Sequence, residues 1–160
     1  ICMAKEKLMI AAPVVPVEIG AVDAWPSHMT LVPWFDLEAE RWKQFDEQFQ
    51  SEEIVWDLDS RLHVVKKDTF GTEERPVQVA RVFGIISVLA HARAAGLVRE
   101  FRGAFDEQYM GLDWHAHISD TSEKVFAKGE DVSLDSIAVF QKESGQKSIK
   151  QIYSRSKLAT

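Results

Sequence analysis

Residues 8–15 (LMIAAPVV) form a short apolar run, the pattern of a buried strand whose length Pro13 and Pro16 limit. After the turn-like VDAWPS, residues 28–33 (HMTLVP) predict a second strand. Over residues 37–50 the period changes. Trp42, Phe45 and Phe49 recur at helical spacing with acids and Lys43 opposite, and Asp36 is positioned to cap the segment. Residues 53–58 and 61–67 predict two strands joined by a tight turn at Asp59-Ser60, and residues 76–83 (PVQVARVF) alternate as another strand. Helical spacing returns over 84–102, where Ile85, Val88, Leu89 and Ala92 mark one face and Gly96 is the expected break or end. Residues 114–119 (WHAHIS) revert to a strand, TSEKVFAKGED is polar loop, and 132–142 with 148–155 close as a hairpin about Ser144-Gly145.

The order is strand, strand, helix, three strands, helix, three strands, an α+β layout with mostly antiparallel pairing. The two halves resemble each other: each holds a histidine-containing strand and one principal helix. The 160 residues suit one domain, or two small lobes sharing a core.

Composition narrows the function classes. Five Trp and nine Phe allow a substantial core. The lone cysteine, Cys2, excludes an internal disulfide and a Cys-based zinc site, consistent with a reducing, cytoplasmic setting. No apolar run approaches the roughly 20 residues of a membrane span, and the start ICMAKEK lacks a signal-peptide pattern, with Ile1-Cys2 readable as a remnant before Met3. A net charge of −6 with scattered basic residues disfavours a grip on long duplex nucleic acid and suits a small nucleotide.

The chemistry-bearing feature is a repeated tripeptide: His28-Met29-Thr30 and His117-Ile118-Ser119. Side chains at i and i+2 of a strand share a face, so each histidine projects beside its hydroxyl, about 7 Å apart along the strand, while the aliphatic turns away. An imidazole moves protons near neutral pH, and a hydroxyl donates to phosphate oxygens. The spacing alone arises readily by chance in a chain with this much Ser and Thr.

HMTLVPWF followed by a helix, together with WHAHIS, resembles the paired H-x-T/S motifs of the two-histidine (2H) phosphoesterase superfamily. That superfamily includes 2′–5′ RNA ligase-like proteins, 2′,3′-cyclic nucleotide phosphodiesterases and phage enzymes that degrade cyclic-nucleotide signals. The resemblance covers nearly the whole chain in size, order and motif separation, though the matching residues are few. It departs in having Ser119 where Thr is commoner, and in His115, a third imidazole near His117. It implies one bilobal, pseudo-twofold domain over residues 1–160, with two mostly antiparallel sheets flanking a central cleft. His28 and His117 would then serve as acid and base, with Thr30 and Ser119 holding phosphate oxygens and no metal or other cofactor required. It further implies a bell-shaped pH profile around neutrality, and a smaller loss for Thr30→Ala than for either histidine.

The implied activity is a phosphodiesterase on small oligonucleotides or cyclic nucleotides: 2′,3′-cyclic, 2′–5′ linked or cyclic oligonucleotide signals. A nucleotide-binding module without turnover, or an RNA 2′–5′ ligase, is the alternative. Trp25 and Trp114 each precede a histidine by three residues and are candidates for stacking on a base, although ordinary core packing is the plainer reading. His115 joins them as a substrate-binding candidate. His63 reads as structural or solvent-facing, His91 as a surface residue, and Lys66, Lys67, Arg75 and Arg81 as solvated cations within reach of a phosphate. No metal-site spacing accompanies the histidines, and KKDTFGTEERP lacks a phosphate-cradling pattern.

Overall fold

The computed structural model describes residues 4–52, 62–106, 110, 114–121 and 124–153. Among these, nine strands form one sheet in the order β2-β9-β8-β1-β3-β6-β5-β4-β7. In chain order they are β1 Lys5–Pro13, β2 Gly20–Val22, β3 His28–Glu38, β4 Leu62–Gly71, β5 Pro76–Phe83, β6 His117–Ser119, β7 Asp131–Val132, β8 Ile137–Glu143 and β9 Gln146–Tyr153. Helix α1 is Trp42–Ser51, entered through a 3₁₀ turn at Ala39–Arg41, and α2 is Ile85–Glu100. Every strand pairing is antiparallel. The α+β class holds, but the strands join into one continuous sheet where two separate sheets were expected. The seam is β3 with β6, registered at Met29↔Ile118. The expected strand at 53–58 and the Asp59-Ser60 turn lie outside the described residues.

Both helices cover one sheet face. Phe45 and Phe49 of α1 enter a cluster with Phe35, Leu8, Ile10, Met29 and Ile118, all buried. Tyr153 on β9 donates its hydroxyl proton to Asp46 (2.5 Å) and packs its ring on Phe49. Burial pushes this phenol well above its ordinary value. On the other face a smaller cluster gathers Met9, Ala11, Ala138, Phe140 and Ile149, with Trp25 and Trp34 packed against it. Among the described residues no helix is long and apolar enough to cross a membrane.

Three local expectations fail for identifiable reasons. Asp36 stays within β3, bridged to Ala104 through the backbone, and the helical segment begins at Ala39 with no side-chain cap. Gly96 lies inside α2, where its cost of about 1 kcal/mol relative to alanine is too small to break a helix packed on the sheet. The helix instead ends in a Schellman turn: Arg102 takes φ 58°, and the N–H of Gly103 donates to the Val98 carbonyl (2.8 Å). A Cβ on Gly103 would lie 2.4 Å from Val98 Cγ1, so the stop requires glycine there.

The face expected to be buried on α2 is the outer one: Ile85, Val88 and Leu89 are 71, 50 and 44% exposed. The helix packs through Ala90, His91, Ala94, Leu97 and Val98. Its alanines let it sit close to the sheet, and because α2 is apolar on several sides, periodicity does not choose between faces.

Candidate active site

Antiparallel pairing of Met29 with Ile118 sets His28 across from Ser119 and Thr30 across from His117. Met29 and Ile118 are both fully buried toward the helices. All four histidine and hydroxyl side chains therefore project from the opposite face, side by side on neighbouring strands. The two imidazoles sit on the diagonal of this square, with Cα atoms about 7–8 Å apart.

Each ring is held in the same way. Nδ1 of His28 donates to the carbonyl of Pro26 (2.7 Å), and Nδ1 of His117 to that of His115 (2.7 Å), in each case two residues upstream. Such a bond fixes the tautomer and turns Nε2 into the free, basic nitrogen. His28 also meets Phe140 edge-on at 5.0 Å, and His117 meets Phe70 edge-on at 4.6 Å. Thr30 Oγ1 lies 3.7 Å from Met9 Sδ, a weak contact that a better acceptor displaces at little cost.

Burial lowers the pKa of both imidazoles, outweighing the carbonyl bonds that raise them. The charge of His117 lowers His28 further, and His115 and Arg81 act in the same direction on His117. The two rings thus disfavour double protonation, the condition that lets one act as base while the other carries the proton.

This moves the expected pH profile off neutrality. If one ring serves as base and the other as acid, the singly protonated pair is the form that works, and both imidazoles lie below the ordinary histidine value of 6.5. The bell in kcat/KM is expected on the acid side of 6.5. The bell in kcat should lie at higher pH, because a bound phosphate stabilises imidazolium. Rate measurements from pH 4.5 to 8.5 check this, and a kcat/KM optimum above 7 contradicts it.

A cleft of about 810 Å³ opens beside the histidines. Thr30 and His117 line it with His115 and Trp114; His28, Ser119 and Trp25 lie outside that lining. Trp25 stacks on Phe140 (4.8 Å) and leans on Trp34. Trp114 stacks one face on His91 at 4.0 Å. His91, expected at the surface, is buried and donates Nδ1–H to the Leu31 carbonyl (2.7 Å), tying α2 to β3. His63 is exposed and paired with Asp131 on β7. Lys67 is bound by Asp120 (2.7 Å), and Arg81 Nη2 donates to His115 Nδ1 (2.8 Å).

Trp34 and the tip of the β4–β5 hairpin also line the cleft, and the sequence reading assigned neither to it. Register shifts in the β1–β3 ladder break the alternation of β3: Leu31 and Val32 are both buried, and Pro33 and Trp34 both line the cleft. The strand predicted at 61–67 runs on to Gly71, so KKDTFGTEERP is largely strand, and Thr69 to Thr72 at its tip form one wall of the cleft. Gly71 makes that tip, with φ 91°; a Cβ there would lie 2.4 Å from the Arg75 carbonyl oxygen. Gly71→Ala is expected to cost about 1–3 kcal/mol. It should also raise KM, because neighbouring Phe70 packs on His117. Urea unfolding and steady-state kinetics measure both; an unchanged midpoint shows that the turn tolerates the methyl.

Among the described residues no group of three or more His, Cys, Asp or Glu is placed to hold a metal ion. The fold matches that of a solved structure described as a phosphoesterase, with a TM-score of 0.58 and 13% identity, covering 94% of this chain and 98% of that chain. No protein-family model and no curated relative matches the sequence. The fold is thus one that a phosphoesterase uses.

Proposed function

We propose that this chain is a phosphodiesterase of the two-histidine type, acting without metal on small oligonucleotides or cyclic nucleotides. The observation that carries the reading is the pairing of the two His-x-hydroxyl tripeptides on one sheet face through Met29↔Ile118. The likeness to a phosphoesterase fold agrees with it. The pseudo-twofold, two-lobed arrangement belongs to this reading, with β3 and β6 as equivalent strands on either side of the seam.

One histidine, neutral, takes a proton from water or from a ribose 2′-hydroxyl through Nε2 as that oxygen attacks phosphorus. The other, as imidazolium, gives its proton to the departing oxygen. Thr30 and Ser119 donate hydrogen bonds to the non-bridging oxygens as charge gathers on them. The protonated and neutral rings have exchanged roles when the P–O bond has broken, so the same pair runs the reverse step. Trp34, Trp114 and Phe70 offer aromatic surface for a base or ribose beside the phosphate.

The test is incubation with 2′,3′-cyclic nucleotides, 2′–5′ dinucleotides and cyclic oligonucleotides, with chelator present. Cleavage of at least one class is expected. Binding without cleavage would favour a nucleotide-sequestering module, and joining of RNA ends would favour a ligase.

A further inference from the structure

The sheet register sets Lys66 beside Arg81, Arg81 beside His117, and His117 beside Thr30 across β4, β5, β6 and β3. Paired residues of antiparallel strands share a face, so these four side chains form one row leading away from the histidine pair. At the usual strand spacing, the Cα of Arg81 lies about 5 Å from that of His117, and the Cα of Lys66 about 10 Å. The row ends in a second cavity of about 410 Å³. That cavity abuts the cleft, and Trp114 and His115 line both.

Two cations line the second cavity, Lys66 and Arg81. They share one carboxylate: Asp68 lies 3.6 Å from Lys66 Nζ and 3.6 Å from Arg81 Nη1. One positive charge is left in excess beside the apolar side chains of Phe83 and Val88, both of which are largely exposed. Arg81 also holds the partition between the cavities. Arginine has no acceptor, so its bond to His115 makes Nδ1 the acceptor and leaves the ring proton on Nε2. A mononucleotide reacting between the histidines would leave the two cations and the apolar wall unused.

We infer that this second cavity receives a second phosphate of the substrate, one nucleotide unit from the phosphodiester at the histidine pair. The inference rests on the phosphodiesterase reading and narrows its substrate class. Dinucleotides and cyclic dinucleotides fill both cavities, whereas nucleoside 2′,3′-cyclic monophosphates fill one.

Calorimetric titration at low ionic strength compares adenosine 3′,5′-bisphosphate with adenosine 3′-monophosphate. The bisphosphate is expected to bind at least about tenfold more tightly, as a charge-assisted contact to the second phosphate requires. Lys66→Glu should bring the ratio near one, and Lys66→Ala should reduce it in the same direction. The Lys66 side chain is 55% exposed, so the fold should survive both changes, and a melting curve verifies this. A ratio near one in the wild type, a ratio unchanged in both variants, or equal weakening of both probes overturns the subsite. Absence of turnover on every phosphodiester, with the ratio and its loss intact, sinks the catalytic reading and leaves the subsite standing.

Discussion

His117→Ala is expected to lower kcat/KM on a cleavable phosphodiester by about 10²–10⁴-fold, and His28→Ala by a similar factor. On the proposed mechanism each substitution removes one proton-transfer partner while the other remains, and a base without an acid leaves the departing oxygen unprotonated. The double variant should lose little more than either single one, because groups that act as a unit are not additive. The two rings touch different neighbours, Phe140 for His28 and Phe70 for His117, so a shared loss cannot come from one damaged contact. Steady-state kinetics with melting curves on all three variants separate chemistry from folding. Near-wild-type turnover in either single variant removes the acid–base mechanism.

The second large effect is on stability. Phe45→Ala is expected to cost about 3–5 kcal/mol, the range for emptying a buried aromatic site. Phe45 is fully buried and its ring meets those of Phe35, Trp42, Phe49 and Phe101, at centroid distances of 5.6–6.4 Å. It therefore joins β3, α1 and the end of α2, and none of these neighbours fills the gap without leaving its own contacts. That cost is a large share of the roughly 5–15 kcal/mol that holds a domain folded. Since Phe45 lies on the face opposite the histidines, the folded fraction of the variant should keep its pH profile. Urea unfolding measures the loss, and a cost below about 1 kcal/mol would show that the cluster recloses around the vacancy.

Some of this was legible in the sequence. PVQVARVF is a strand at the predicted bounds, Pro76–Phe83, although Ala80 and Val82 are buried while Val77 and Phe83 are exposed. Phe45 and Phe49 recur at helical spacing and are the buried face of α1. Other signals were ambiguous because two structures satisfied them equally. Ile85, Val88 and Leu89 have the spacing of a core face yet point outward, since the small residues opposite them allow closer approach to the sheet. His91 beside Arg93 resembled a surface position. Its burial depends on the Leu31 carbonyl and the Trp114 ring, both far away in sequence. Trp34 escaped notice because bulges change which side chains face the cleft, and a bulge depends on the partner strand.

By itself, the sequence determined that His28 with Thr30, and His117 with Ser119, share a strand face. That follows from the two-residue period of an extended chain and needs no partner. Only the tertiary structure decided that the two tripeptides meet. Their meeting rests on the Met29↔Ile118 register between strands distant along the chain. The same nonlocal register placed Arg81 and Lys66 in line with His117. Local periodicity fixes which way a side chain faces. What it faces is set by the packing of α1 and α2 on the other side of the sheet.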